Sequence, residues 1–220
     1  MPFTEEQFFD VFVQYNAAMW PLPIMAYLLG VAALCLTFWS SRVATASISA
    51  ILALMWFVNG AAYHWSFFAA INPAARGFGI IFAIQALFLL CAPFVWTSFR
   101  IAARRDVRTF AGIGFAAYAL IGYPALGWLF GHAYPAVPVF GIAPCPTTIF
   151  TIGILMLGTW KVARWLLVIP GLWALLGGSA AVVLNVPQDF GLIAAVLVVA
   201  GFATAIATGA TFARHRPIDT

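Results

Sequence analysis

Charge is what this sequence has least of. Charged residues are 7% of the 220 and hydrophobic residues 65%, where a soluble domain carries about 25% charged residues. So few polar groups could not cover a water-soluble fold, which points to a polytopic membrane protein. Lysine occurs once, as Lys161 at the edge of an apolar run, so no lysine is placed to form a retinal-type Schiff base. No acidic pair sits inside an apolar run for proton coupling. The signatures G-x-S-x-G, Walker A and G-x-G-x-x-G are absent, so an enzyme is not the leading expectation. The three cysteines, Cys35, Cys91 and Cys145, make no C-x-x-C pair and imply no disulfide framework. Cys35 and Cys91 lie inside apolar runs and are expected as small buried hydrophobes. Cys145 is expected in a loop. Residues 1–10 are acidic and lack the basic region of a cleavable signal. The net charge of +4 does not signal nucleic-acid binding, because no basic stretch interleaves with aromatics. Its expected partner is the lipid bilayer.

What the chain does have is apolar length. A helix needs about 20 apolar residues to cross a bilayer. Seven segments qualify: 21–39, 43–65, 77–96, 110–130, 147–160, 165–184 and 190–212. The fifth is short, and the sixth is interrupted by Pro170 and by Gly177 with Gly178, so a six-helix count is the main alternative. Alternate gaps between them hold Arg42, then Arg100, Arg104, Arg105 and Arg108, then Lys161 and Arg164, then Arg214 and Arg216. The remaining gaps hold only Arg76, so nine basic residues stand against one. The positive-inside rule then places the C-terminus in the cytoplasm and the N-terminus outside. Trp39, Trp96, Trp160 and Trp165 mark the inner boundary and Trp20, Trp65 and Trp128 the outer one, while Trp56 and Trp173 fall deeper as packing residues. The whole, residues 1–220, reads as one all-α membrane domain. Residues 1–20 form an interfacial helix, 21–212 a helix bundle and 213–220 a cytoplasmic tail containing His215.

Before the first segment, Thr4 and Gln7 have capping-box spacing. Phe8, Phe9 and Phe12 then share one face and Glu6, Asp10 and Gln14 the other, which predicts an amphipathic helix lying in the membrane interface. Tyr15 and Trp20 are expected to anchor its end. In the last segment Gly201, Ala205 and Gly209 repeat every four residues. Such spacing suits close packing within the chain, with a homo- or hetero-oligomer seam as the alternative.

Polar residues within apolar helices are costly and tend to be functional. Asn59 and Tyr63 are four apart on one helical face, with Gly60 and His64 on the next. Counted from the Asn72–Pro73 turn, Tyr63 and Gln85 fall at similar depth and predict a hydrogen bond. The gap 131–146 is uncharged and carries four prolines, Pro135, Pro138, Pro144 and Pro146. Such a loop avoids water by capping a cavity or dipping inward as a re-entrant wall. Thr147, Thr148 and Thr151 follow it. Asp189 reads as a helix N-cap. The candidate ligand-binding set is therefore Asn59, Tyr63, His64, Gln85, His132, Cys145, Thr148 and Asp189. His64, His132, Cys145 and Asp189 also have the donor types of a zinc or copper site, although they come from separate segments without short ligand spacing.

Three motifs carry a family resemblance: the opening Met1-Pro-Phe-Thr-Glu-Glu-Gln-Phe-Phe, then Asn59-Gly60-x-x-Tyr63-His64 with Asn72-Pro73, and Pro144-Cys145-Pro146-Thr147-Thr148. Over nearly its full length the chain resembles an uncharacterised bacterial family of multi-pass membrane proteins, a domain of unknown function. The resemblance implies a bacterial inner-membrane protein and no particular reaction. The leading expectation is a protein that binds or transports a small molecule or ion. Its pocket would face outward, floored by Asn59, Tyr63 and Gln85 and capped by the proline-rich loop. An accessory subunit of a membrane complex and an outer-face metal-dependent enzyme are the alternatives.

Overall fold

The computed structural model describes residues 3–209, apart from the side chain of Ala180. The tail 213–220, with Arg214, His215 and Arg216, and the end of segment 190–212 lie outside the described residues. The described chain is all-α, and its one isolated β-bridge joins Ile101 to Gly158. Helices run in the order α1 (Glu5–Ala18), α2 (Leu22–Leu36), α3 (Arg42–Val58), α4 (Ala75–Val95), α5 (Val107–Ala117), α6 (Tyr123–Leu129), α7 (Pro144–Met156), α8 (Trp160–Leu166), α9 (Val168–Val183) and α10 (Phe190–Ala207). A π-helical stretch, Asn59–Phe67, continues α3, and another, Tyr118–Gly122, joins α5 to α6. Among the described residues, by length and composition, four continuous spans could cross a membrane: Arg42–Ala70, Ala75–Val95, Val107–Leu129 and Pro187–Ala207. The bent pairs α1–α2, at 87°, and α8–α9, at 44°, raise the number to six, and α7 is a shorter apolar helix.

The break between α8 and α9 follows from Pro170. Proline lacks the N–H that would reach the carbonyl four residues back, and its ring crowds that carbonyl. The freed carbonyl is that of Leu166, and Gln85 Nε2 of α4 donates to it at 2.9 Å. Gln85 therefore does not bond Tyr63, as equal depth had suggested. A π-helix rises less per residue than an α-helix, so counting back from the turn at 1.5 Å per residue misplaces Tyr63. The contact register is set by Gly60 and Gly79, where a Cβ on either would meet the other's carbonyl oxygen at 2.8–2.9 Å.

All thirteen residues of α7 are buried, so the shortest apolar segment is the central one. Pro144 and Pro146 fit its first turn, where N–H groups have no helical partner to lose. Cys145 thus stands in that turn and not in a loop. The segment before it enters the bundle. Phe140 is buried against Tyr27 and Phe150, with ring centroids 5.2 and 5.0 Å away. Only glycine fits at position 30, where a Cβ would lie 2.5 Å from the Phe140 ring.

The connections gather at two ends. At one, Ala103 N–H donates to Thr37 O at 2.7 Å and Thr159 N–H to Arg100 O at 2.8 Å, which draws Arg100, Arg104 and Lys161 together. At the other lie α1, the turn after Phe67, the loop 130–143 and the turn 184–189. The Thr4–Gln7 capping box is formed, with bonds of 2.9 and 3.2 Å. Helix α1 does not turn its apolar face outward, because Phe8, Phe12 and Tyr15 are buried against the bundle. Tyr15 is accordingly no interface anchor. Its hydroxyl donates to Ile142 O at 2.8 Å, while Asn16 Nδ2 donates to Pro135 O and Val137 O at 2.6 and 2.8 Å. Cys35 and Cys91 face outward and are not buried. Gly201 also faces open space, and Gly209 lies past the end of α10 at φ +68°, so the small-residue stripe is not packed inside the chain at Gly201.

Candidate functional site

A cavity of about 210 Å³ opens at the α1 end. Its roof is aromatic. Phe3 and Phe8 meet Phe68 with centroids 5.3 and 6.2 Å apart, and Phe12 stacks on Tyr63 at 5.1 Å. Its far wall is α9, through Trp173, Leu176, Gly177 and Ser179, and Pro144 and Cys145 supply the start of α7. Among the described residues no Asp, Glu, Lys or Arg lines it.

His64 is its most unusual member. The π-helical stretch brings Asn59, Gly60, Tyr63 and His64 inward together, and such stretches recur at functional sites. The imidazole is fully buried among Phe78, Phe82 and Trp173, with centroids at 5.8, 4.7 and 5.0 Å. Neither ring nitrogen has a hydrogen-bond partner. Buried polar groups are ordinarily bonded, so such an orphan marks a place for a water or a ligand. Trp173 Nε1 is a second orphan beside it, facing only the Cys145 sulfur, a weak acceptor.

Behind Cys145 lies a second polar group. Tyr123 donates its hydroxyl to Asp189 Oδ1 at 2.6 Å, and the Cys145 thiol faces the same carboxyl. Asp189 occupies the N-cap position of α10, but its side chain makes no capping bond. Oδ2 has no oxygen or nitrogen partner, and no lysine or arginine among the described residues pairs with the carboxyl. Thr148, one turn after Cys145 on the same helical face, is buried with its hydroxyl unpartnered.

The structure thus brings Tyr63, His64 and Cys145 to one cavity, with Asp189 and Thr148 behind Cys145. It takes the other candidates elsewhere. Asn59 bonds Met55 O, Gly141 O and Thr147 Oγ1 at 2.8, 3.2 and 3.4 Å, tying α3 to the start of α7. Gln85 is occupied by the Leu166 carbonyl. His132 stacks on Phe9 at 4.5 Å and lines a different cavity of about 370 Å³ with Trp20, Trp128 and Tyr134. The expected floor of Asn59 and Gln85 is therefore replaced by α9. The proline-rich loop is not the cap: it packs into the bundle, and α1 forms the roof. Among the described residues no three His, Cys, Asp or Glu side chains converge as a metal-ion group, so His64, His132, Cys145 and Asp189 do not form one ligand set. Sequence reasoning missed Trp173 and Phe78. The only signal for Trp173 was its depth, away from the boundary where the other tryptophans cluster.

No curated protein and no solved structure matches the chain. The profile of a family of unknown function (DUF6064) matches residues 5–216, and the chain belongs to that family.

Proposed function

We propose that this chain is a seven-span protein of the bacterial inner membrane, N-terminus outside and C-terminus in the cytoplasm. At its outer end it binds, and in its cycle transports, a small molecule. The supporting topology argument joins the helices to the charge. The four continuous spans, α2, the bent pair α8–α9 and α7 overlap the seven apolar segments one to one. The loops bearing Arg42, Arg100, Arg104, Arg105 and Lys161 share one end, and Arg76 lies at the other. That is the asymmetry expected of cytoplasmic and outer loops.

The observation that carries the binding function is His64. It is a fully buried imidazole with two orphan nitrogens in an aromatic-walled cavity. A purely structural histidine would bond a neighbour. The discontinuous helices α8–α9 and the half-length α7, which begins deep in the bundle, suit a site built where helices are interrupted. The test is native mass spectrometry of protein extracted in mild detergent. Wild type should carry a bound small mass. Ser179→Trp, which fills the cavity from an exposed position, should lose it and remain folded. A wild-type protein that is always empty would overturn the proposal.

A second function, as an accessory subunit of a membrane complex, is favoured by one observation. The backbone at Gly201 faces open space on α10, where a neighbouring helix could approach closely. Copurification of a fixed partner, abolished by Gly201→Leu, would support it.

A further inference from the structure

We infer that the ligand is a neutral, hydroxyl-headed lipid that reaches the cavity sideways from the bilayer through a groove between α4 and α9. This rests on the proposal above that the His64 cavity is a binding site. The first ground is the roof. Phe3, Phe8, Phe12 and Phe68 roof the α1 end with edge-to-face ring contacts, so the approach from water is lined by aromatic rings.

The second ground is continuity. A groove of about 330 Å³ lies between α4 and α9, lined by Ile81, Ile169, Leu172 and Leu175 among others. It shares Phe78, Trp173 and Leu176 with the His64 cavity. Ile81, Leu172, Leu175 and Leu176 are 45–60% exposed in the isolated chain, so the groove opens on the flank that faces acyl chains in a membrane. The two spaces adjoin across these shared side chains. A molecule seated with its head against His64 would run its carbons past Phe78 and Leu176 into the groove.

The third ground is the head-group chemistry. An indole N–H only donates, and a neutral imidazole offers one acceptor nitrogen. A hydroxyl can accept from Trp173 Nε1 and donate to His64 at the same time, answering two orphans at once. A charged head would meet no counter-charge among the described residues, since none of their ionised side chains lines either space, and an unpaired charge is costly out of water. The class is therefore a long-chain alcohol or a glyceride with a free hydroxyl.

The experiment is photolabelling in membrane vesicles with two diazirine probes, a sixteen-carbon alcohol and a phosphatidic acid. Labelled peptides are mapped, and native masses are recorded from the same preparations. The alcohol should label residues around Phe78 and Trp173, and labelling should fall at least about fivefold in Leu172→Trp, which blocks the groove from its exposed side. The phosphatidic acid should label the cavity at least about fivefold less. Equal labelling by the two probes would overturn the neutral head, and unchanged labelling in Leu172→Trp would overturn the lateral path. A bound small mass that Ser179→Trp removes, without alcohol labelling, would overturn the lipid and leave the binding site standing. No bound mass and no labelling would overturn both.

Discussion

Gln85→Leu removes the side chain that answers the carbonyl freed by Pro170. Leu166 is 2% exposed, so water cannot replace the amide. A buried unsatisfied group costs about 1–3 kcal/mol in soluble proteins. Hydrogen bonds between membrane helices average nearer 0.6 and reach about 1.7 kcal/mol. A loss of about 1–2 kcal/mol is expected for Gln85→Leu, because the lost bond also ties α4 to α8. Pro170→Ala restores an N–H four residues after Leu166, which can take that carbonyl in a regular helix. In that background Gln85→Leu should cost less than about 0.5 kcal/mol, so the coupling in a double-mutant cycle should be about 1 kcal/mol. Reversible unfolding in mixed micelles, followed by tryptophan fluorescence against the mole fraction of sodium dodecyl sulfate, reads all four proteins. Equal cost of Gln85→Leu in both backgrounds would refute the idea that proline creates the site Gln85 fills.

Tyr123→Phe should destabilise by about 1.5–3 kcal/mol, since the 2.6 Å bond to the Asp189 carboxyl has no substitute on Oδ1; thermal size-exclusion profiles measure it. Phe140→Ala should cost about 3–5 kcal/mol, because a buried ring wedged between Gly30, Tyr27 and Phe150 leaves a cavity that glycine cannot fill. At the arginine end, Asp106 caps α5 by accepting from Thr109 N–H at 2.7 Å. Partial burial pushes its carboxyl up, but the Thr109 hydrogen bonds and the charges of Arg108 and Arg104 prevail and hold it below the usual range. Its contribution is therefore complete above the unfolded value, about 3.9, and is lost as pH falls through the lower folded value. Asp106→Ala should cost about 1 kcal/mol at pH 6, and the gap should narrow below pH 4; a gap constant down to pH 3 would contradict the assignment.

The positions of the helices were legible because apolar length and the loop arginines are one-dimensional signals. The α8–α9 break was legible for the same reason, since Pro170 acts on its own chain. What periodicity could not separate was which side of an apolar helix packs against protein and which faces out of the chain, because both positions accept apolar residues. The sequence therefore places Cys35 and Cys91 inside, whereas both face out. The opposite happened to α7, whose thirteen residues are all buried, so Thr147, Thr148 and Thr151 mark a face against protein and not against water. Helix α1 shows the same ambiguity, since Phe8 and Phe12 suit a lipid interface or an aromatic roof equally well. Within the site, His64 and Cys145 were legible as polar residues in apolar surroundings. The π-helical register was not, and it misplaced Tyr63 against Gln85. Trp173 reads as packing in the sequence, which shows its depth and not the orphaned N–H.

The most direct test is an experimental structure of the protein purified in mild detergent or native nanodiscs without exchange of bound molecules. Density for a non-protein molecule should fill the cavity beneath Phe8 and Phe12, within hydrogen-bonding reach of His64 and Trp173 Nε1. A cavity closed by its own aromatic rings, with His64 bonded to a protein neighbour, would contradict a binding site there.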